Sequence, residues 1–288
     1  MCDWPFACRW SNKIIFVPFE LSYLLIYLAA GVVVGFFAGL LGIGGGAVMV
    51  PVLSLTFIRF GFSNEHVIHM ALATSMATIL PGAFASARAH HAHGAVNWRV
   101  VKQMTPGILV GTLAGTVFAY FSSTAFLKYF FVGFICFLAI QLLFNIKPQT
   151  GIEQSRRELP KQGGMLIFGA VMGFISSLAG IGGAILTINF LTWCNVKIHE
   201  AIGTSSAVGF PIALAGTLGY VITGLMDPDL PKWSLGYVYV PAFMGIAMTS
   251  FLIAPIGAKL AHKLPVAMLK KIFMIFLLAL AIKMLVSV

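Results

Sequence analysis

Two pairs of neighbouring hydroxyl residues carry the side chains of this 288-residue sequence that are best suited to bind a small ligand. The first pair is Thr74 and Ser75, and the second is Thr204 and Ser205. A hydroxyl group can donate a hydrogen bond to an oxyanion. It can equally bond back to a carbonyl of its own helix or join two helices, which is common in membranes. The sequence leaves both roles open for these pairs.

A histidine precedes each hydroxyl pair, at the border between a loop and an apolar run. These residues are His69 and His199. Histidine titrates near neutral pH, so either ring could carry a coupling proton. The alternative is an interfacial histidine that bonds a neighbouring backbone group. Three further histidines, His90, His91 and His93, have no carboxylate or cysteine beside them, so we predict neither a metal site nor a cofactor.

Clusters of glycine interrupt two long apolar segments, and each cluster precedes one of the hydroxyl pairs. Such clusters favour a break in a helix. Unwound backbone at membrane depth is tolerated where it is buried in protein or lines a watery cavity, so the paired breaks predict a binding site. The alternative is close helix packing by small residues. Two polar residues follow the second break only, which predicts an asymmetric site. The predicted substrate-binding residues are Gly42, Gly44, Gly45, Gly46, Thr74, Ser75, Gly180, Gly182, Gly183, Thr187, Asn189, Thr204 and Ser205.

The glycine clusters and the hydroxyl pairs belong to an internal repeat. Residues 35–53 match residues 173–191 at 8 of 19 positions, and residues 69–81 match residues 199–211 at 6 of 13 positions. Repeated halves are the usual construction of secondary transporters. The sequence therefore predicts two membrane halves that carry the same ordered elements.

Two weaker features also occur in both halves. Pro81 and Pro211 lie late in matching apolar runs, where proline removes a helix hydrogen bond. They are candidate hinges for alternating access, or fixed packing bends. Trp98 corresponds to Trp233 at a further offset, ahead of another apolar run in each half.

The positions of the charged residues limit the kinds of ligand that the chain is expected to bind. The carboxylates all lie outside the apolar runs or at their edges, which weakens the case for a cation pump or antiporter. No Arg or Lys is predicted to be buried in the membrane. Recognition then depends on hydroxyls and on free N–H groups at broken helix starts, which favour anions. No nucleophile and base pair and no phosphate loop are present, so we predict no enzyme. The eight carboxylates are Asp3, Glu20, Glu65, Glu153, Glu158, Glu200, Asp227 and Asp229.

The elements that must position these residues are membrane helices. The chain is 59% hydrophobic and 9% charged, with a mean hydropathy of +0.97, which exceeds what one soluble core can hide. The apolar runs do not alternate with polar residues, so a β-barrel is not expected. The fold class is an all-α integral membrane protein. We divide it into an N-terminal tail (1–19), a first repeat (20–146), a polar loop (147–161) and a second repeat (162–288).

Two topologies compete for these halves. If every apolar run spans once, five lysines of the second half lie outside the cell, against the rule that basic residues concentrate in the cytoplasm. If each Gly-broken segment re-enters, each half crosses three times, the second half is inverted and the five lysines become cytoplasmic. We favour inverted repeats. The net charge of +10 also predicts contact with anionic lipid headgroups, and nucleic-acid binding is not expected. The five lysines are Lys197, Lys259, Lys263, Lys270 and Lys271.

The doubled G-F-x-x-x-L-x-G-I-G-G block followed by H-x-A-x-x-T-S resembles the TauE/SafE family of sulfite-exporter-like permeases, over about residues 20–286. The resemblance implies a bacterial-type inner-membrane permease that moves sulfite, sulfonates such as sulfoacetate, or related organic anions without ATP. It also implies that the glycines and hydroxyl pairs line the pathway. The leading hypothesis is therefore an exporter that works by alternating access. A passive anion channel and a non-transporting scaffold are the alternatives, and a homo-oligomer is possible.

Overall fold

The computed structural model describes residues 21–41, 45–144, 159–261 and 266–287, and within them the chain is almost entirely helical. One two-stranded hairpin is present, formed by β1 (Ser234–Leu235) and β2 (Val238–Tyr239). The helices are α1 (Leu21–Leu41), α2 (Gly46–Arg59), α3 (Val67–Ala92), α4 (Trp98–Phe121), α5 (Thr124–Phe144), α6 (Gln162–Ala179), α7 (Ala184–Trp193), α8 (Ile198–Gly224), α9 (Val240–Ala261) and α10 (Val266–Ser287).

The surface and length of the helices fit a bilayer. Among the described residues, five helices are long and apolar enough to cross a membrane, namely α3, α4, α6, α8 and residues Thr124–Gln141 of α5. Large apolar side chains such as Phe121, Val171, Ile222 and Phe251 are exposed on the outside of the bundle. An apolar surface of this extent matches lipid rather than water. The prediction of an all-α membrane protein is confirmed.

The two glycine clusters separate α1 from α2 and α6 from α7. Gly45 caps α2 with a φ of 68°, while Gly180 ends α6 with a φ of 62° and Gly183 caps α7 with a φ of 67°. Glycine adopts this left-handed conformation without the steric cost that a Cβ atom adds. The predicted breaks are therefore present in both halves. Gly42 and Gly44 lie outside the described residues.

Helices from the two halves are interleaved. The first helix of each half packs along the fourth helix of the other half, so that α1 lies on α9 and α6 lies on α4. Glycines allow the close approach: Gly31 and Gly35 lie against the backbone of α9, and Gly107 and Gly111 lie against the backbone of α6. Small residues at such contacts are typical of membrane helix pairs.

Equivalent helices of the two halves run in opposite directions. Along α3 and α8, Gly216 lies beside Met76, while Gly203 lies beside Ala95, just after the end of α3. In the same way, Lys128 at the start of α5 donates a hydrogen bond to Leu285 O near the end of α10. Antiparallel equivalent helices are the geometry that inverted repeats require. The orientation of each half in the membrane stays a prediction, as does the question of whether the interrupted helices span or re-enter.

Two details of the sequence interpretation need correction. The apolar run that follows Trp233 does not begin as a helix, because Gly236 adopts a φ of 55° and turns the chain into a hairpin. Trp233 therefore precedes the hairpin, whereas Trp98 begins α4 directly. In addition, the sequence predicts no Arg or Lys buried in the membrane, but Lys128, within the apolar span Thr124–Gln141, is only 7% exposed.

Candidate functional site

The two helix breaks meet inside the bundle. Gly46, the first residue of α2, packs against the second break so closely that an added Cβ atom would lie 2.7 Å from Gly180 O and 3.0 Å from Ile181 Cα. Ser75 on α3 donates a hydrogen bond of 2.8 Å to the same Gly180 oxygen. Residues from both halves therefore converge on the carbonyl that ends α6.

The start of α7 offers free hydrogen-bond donors. Gly183 has no side chain to cap the helix, and its carbonyl accepts from both the backbone N–H and the hydroxyl of Thr187. The N–H groups of Ala184, Ile185 and Leu186 find no acceptor among the described residues. Free N–H groups in the first turn carry the positive end of the helix dipole. The second break is therefore suited to an anion.

Ser176 adds a hydroxyl group beside this helix start. The residue is 1% exposed, and its Oγ has no hydrogen-bond partner within the part of the chain that the structure describes. An added Cβ atom on Gly183 would lie 2.9 Å from Ser176 Oγ, which shows that the hydroxyl faces the break. A small, partly open cavity is lined by Ser176, Gly183, Ile181, Ile185 and Leu186 together with Phe134 and Leu138 of α5.

Sequence reasoning missed Ser176. The signal available was the pair Ser176 and Ser177 directly before the second glycine cluster, where the repeat has Ala38 and Gly39 in the first half. The asymmetry predicted from Thr187 and other residues after the break thus extends to the residues before it.

The two threonines of the hydroxyl pairs make equivalent hydrogen bonds across the halves. Thr74 Oγ1 accepts from the backbone N–H of Tyr239, just before α9, at 3.0 Å. Thr204 Oγ1 accepts from the backbone N–H of Asn97, just before α4, at 2.9 Å. Ser205 bonds back to Ile202 O within its own helix. In this conformation the pairs join and brace helices, and their contact with substrate stays a prediction.

The structure does not bring all of the remaining predicted site residues together at the breaks. Asn189 on α7 has a buried Nδ2 atom with no partner among the described residues. Pro81 and Pro211 lie inside α3 and α8, which continue through them, and their role as hinges stays a prediction.

The two coupling candidates have different surroundings. His69 is buried, its Nε2 atom lies 2.9 Å from Ala119 O, and its ring stacks on Tyr237. His199 is exposed on the first turn of α8. Among the three other histidines, His91 accepts a hydrogen bond from the indole N–H of Trp98. The described residues contain no group of three or more side chains arranged to bind a metal ion.

This architecture defines a class of protein. Apolar helices in two repeats, with an interrupted helix from each half meeting inside the bundle, are characteristic of membrane transporters. Residues 27–284 match the family described as sulfite exporter TauE/SafE, and the chain belongs to this family. It is a multi-pass membrane transporter, which fits the bacterial inner membrane, and the resemblance noted from the sequence motifs is confirmed.

Curated relatives agree with this class over nearly their full length. A probable membrane transporter protein of Haemophilus influenzae is 35% identical over 263 residues, which cover 91% of this chain and 98% of the relative. A probable membrane transporter protein of Methanocaldococcus jannaschii is 28% identical over 260 residues, or 87% of this chain and 91% of the relative. The probable membrane transporter protein YdhB of Bacillus subtilis is 27% identical over 252 residues, or 86% and 92%. No solved structure matches the chain.

Proposed function

We propose that the chain is a secondary transporter of small anions, and that it exports sulfite, a sulfonate such as sulfoacetate or a related organic anion by alternating access. One observation carries the proposal. The start of α7 presents N–H groups without an acceptor among the described residues, beside Ser176, a buried hydroxyl that also finds no partner there. Buried polar groups are normally satisfied in proteins, so a buried hydroxyl without a partner next to free N–H groups supports a ligand that supplies the acceptors.

The chemistry of the donors favours an oxyanion with several oxygen atoms. Backbone N–H groups at a helix start and a serine hydroxyl all donate, and the cavity beside them includes no side chain that would repel negative charge. The remaining lining is apolar, which suits a small organic group attached to the anion. Sulfite and sulfonates each present three oxygen atoms on one sulfur, so one ligand could accept from several of these donors at once.

The arrangement of the breaks supports alternating access. Gly46 of the first half packs directly on Gly180 of the second half, so the two interrupted helices close over one another in this conformation. The proposal therefore assigns the motion to the junction of the breaks.

Binding and flux measured with matched serine variants test the proposal. Ser176→Ala removes the hydroxyl at the helix start, while Ser177→Ala removes the neighbouring hydroxyl, which is bonded to Phe174 O of its own helix. A hydrogen bond to a charged group contributes about 1.5–3 kcal/mol, so Ser176→Ala is expected to weaken anion binding roughly 10- to 150-fold. Ser177→Ala should bind as the wild type does.

The assay is a thermal-shift panel on detergent-purified protein with sulfite, thiosulfate, sulfoacetate, small carboxylates and chloride, followed by flux of the stabilising anion in proteoliposomes. Saturable flux that Ser176→Ala alone reduces supports the proposal. Flux that never saturates and only follows the electrochemical gradient would establish the passive channel instead. A chain that neither binds nor moves any of these anions contradicts the proposal and favours the scaffold.

A further inference from the structure

A cluster of titratable side chains lies where α3 begins. His66, directly before α3, has its Nδ1 atom 3.1 Å from Oδ2 of Asp227. The hydroxyl of Tyr237 donates to the same Asp227 oxygen at 3.0 Å. The side chains of His66 and Asp227 are 16% and 13% exposed, so the pair is largely shielded from solvent. Neither the histidine nor the carboxylate belongs to the proposed anion site.

The hydrogen bonds of this cluster join three elements of the fold. His66 caps the start of α3, Asp227 follows the end of α8, and Tyr237 lies in the hairpin that leads into α9. The hairpin is also held on α3 by the bond from the backbone N–H of Tyr239 to Thr74 Oγ1. Loss of the pair between His66 and Asp227 would therefore loosen the end of the bundle at which α3 starts and α8 finishes.

At the opposite end of the bundle, a hydrogen bond of different chemistry joins two elements. Glu200 in the first turn of α8 accepts a hydrogen bond of 2.7 Å from the side-chain amide of Asn97, which precedes α4. Because α3 has 26 residues, the pair of His66 and Asp227 and this hydrogen bond lie about 39 Å apart along α3. Both ends contain a carboxylate that can exchange protons, but only the His66 end pairs the carboxylate with an imidazole, which titrates near neutral pH. Only the His66 end can therefore form an ion pair when it binds a proton.

We propose that His66 and Asp227 form the proton-binding site of this transporter, and that loss of the proton from His66 releases the end of the bundle at which α3 begins. The proposal rests on the transport function proposed above and adds the coupling ion to it. With His66 protonated and Asp227 ionised, the imidazolium and the hydroxyl of Tyr237 both donate to the carboxylate, and this charge-assisted pair holds the three elements together. With His66 neutral, the attraction between opposite charges is lost and the bond weakens.

Several further titratable groups surround the pair, and one of them, His69, interacts electrostatically with both His66 and Asp227. Burial and the hydrogen bond to Asp227 raise the pKa of Tyr237, so the phenol keeps its proton and serves as a fixed donor. The ring of His69 stacks on Tyr237, and Tyr120 and Tyr220 approach it from α4 and α8. On the exposed side, the backbone N–H of Asp229 donates to the other oxygen of Asp227, and Glu65 contributes only a backbone carbonyl near His69.

The first test separates coupling from transport. Proteoliposomes are loaded for uptake of labelled sulfoacetate, and two quantities are measured: exchange without a gradient and accumulation driven by an imposed pH gradient. In the wild type and in Asp229→Asn, an exposed aspartate of the same loop, a gradient of one pH unit should drive accumulation of several-fold. In Asp227→Asn and His66→Gln, exchange should continue while accumulation falls to the equilibrium ratio of one. Accumulation retained in Asp227→Asn would overturn the proposal, and so would loss of exchange together with accumulation, since the cluster would then be purely structural.

A second measurement does not depend on transport. The chain contains three aspartates, Asp3, Asp227 and Asp229, so protein labelled with ¹³C at the aspartate carboxyl gives few signals in isotope-edited infrared spectra recorded along a pH titration. One carboxyl signal should disappear in Asp227→Asn, and its titration midpoint should move in His66→Gln but not in Asp229→Asn. A midpoint that ignores His66→Gln contradicts the proposal. A wild type that moves no anion but shows this coupled titration would count against the transport function and not against the proton site.

Discussion

Replacement of Gly46 by alanine tests whether the junction of the two breaks controls transport. In Gly46→Ala, the new Cβ atom would lie 2.7 Å from Gly180 O and 3.0 Å from Ile181 Cα, both of them backbone atoms of the second break. Ordinary van der Waals contact begins at 3.4 Å, so the two breaks must separate by about 0.7 Å. Backbone atoms cannot avoid the methyl group by a change of rotamer.

The magnitude follows from the cost of overpacking. Inserting a methyl group into a well-packed interior costs about 1–3 kcal/mol. If that cost falls on the conformation in which the breaks meet, its population decreases about 5- to 150-fold relative to conformations that separate them. We therefore expect Gly46→Ala to reduce saturable anion flux by a factor of this order and to lower the melting temperature.

The matched control is Gly82→Ala. This glycine lies in α3, is not among the predicted substrate-binding residues, and its added Cβ atom would meet nothing within 4 Å among the described residues. Flux should therefore change less than about twofold. Flux and melting temperature are measured on both variants at equal reconstituted amounts. If Gly46→Ala transports and melts as the wild type does, the packed junction has no role in the mechanism and the reasoning fails.

Three further predictions concern packing, the threonine bonds and pH. Gly111→Ala drives a methyl group into the backbone of α6 and should lower the melting temperature sharply, whereas Gly133→Ala meets nothing within 4 Å and should leave it unchanged. Thr204→Val leaves the partly buried N–H group of Asn97 without its acceptor, at a cost of about 1–3 kcal/mol in chemical denaturation, and Thr204→Ser should restore most of it. Burial raises the pKa of Tyr237, so the folded chain keeps a proton that the unfolded chain loses near pH 10. The stabilising contribution of Tyr237 should therefore be complete below that pH and decrease above it. Tyr237→Phe should flatten this pH dependence of the melting temperature.

The sequence predicted those parts of the fold that depend on local chemistry. Runs of apolar residues located the helices, and the glycine clusters located both breaks, because glycine alone adopts the left-handed φ of residues such as Gly45 and Gly183 without strain. The repeat located Thr74 and Thr204 as equivalent residues. Their hydrogen-bond partners were not predictable, because each partner lies on the other half of the chain and only the tertiary arrangement brings them together.

Other features had no distinctive local signal. A serine in an apolar helix usually bonds to a carbonyl of its own helix, as Ser177 does, so nothing in the sequence marks Ser176 as the one whose hydroxyl faces the break. The hairpin before α9 is as apolar as a helix, and its turn at Gly236 was hidden within that run. The pair of His66 and Asp227 joins residues of different halves, so composition and periodicity give no indication of it.

The interleaving of the halves limits which parts of the molecule can move as units. A rocking motion of one half against the other would pull α1 from α9 and α6 from α4, although these helices are in backbone contact through glycines. It would also break the bonds from Tyr239 N to Thr74 and from Asn97 N to Thr204. A motion that keeps the mixed pairs intact changes the contacts at α3 and α8 instead, where the two breaks meet. The pair of His66 and Asp227 lies at one end of α3, and the bond between Asn97 and Glu200 lies at the other. We propose that these two contacts open one at a time, as the proposed alternating access requires.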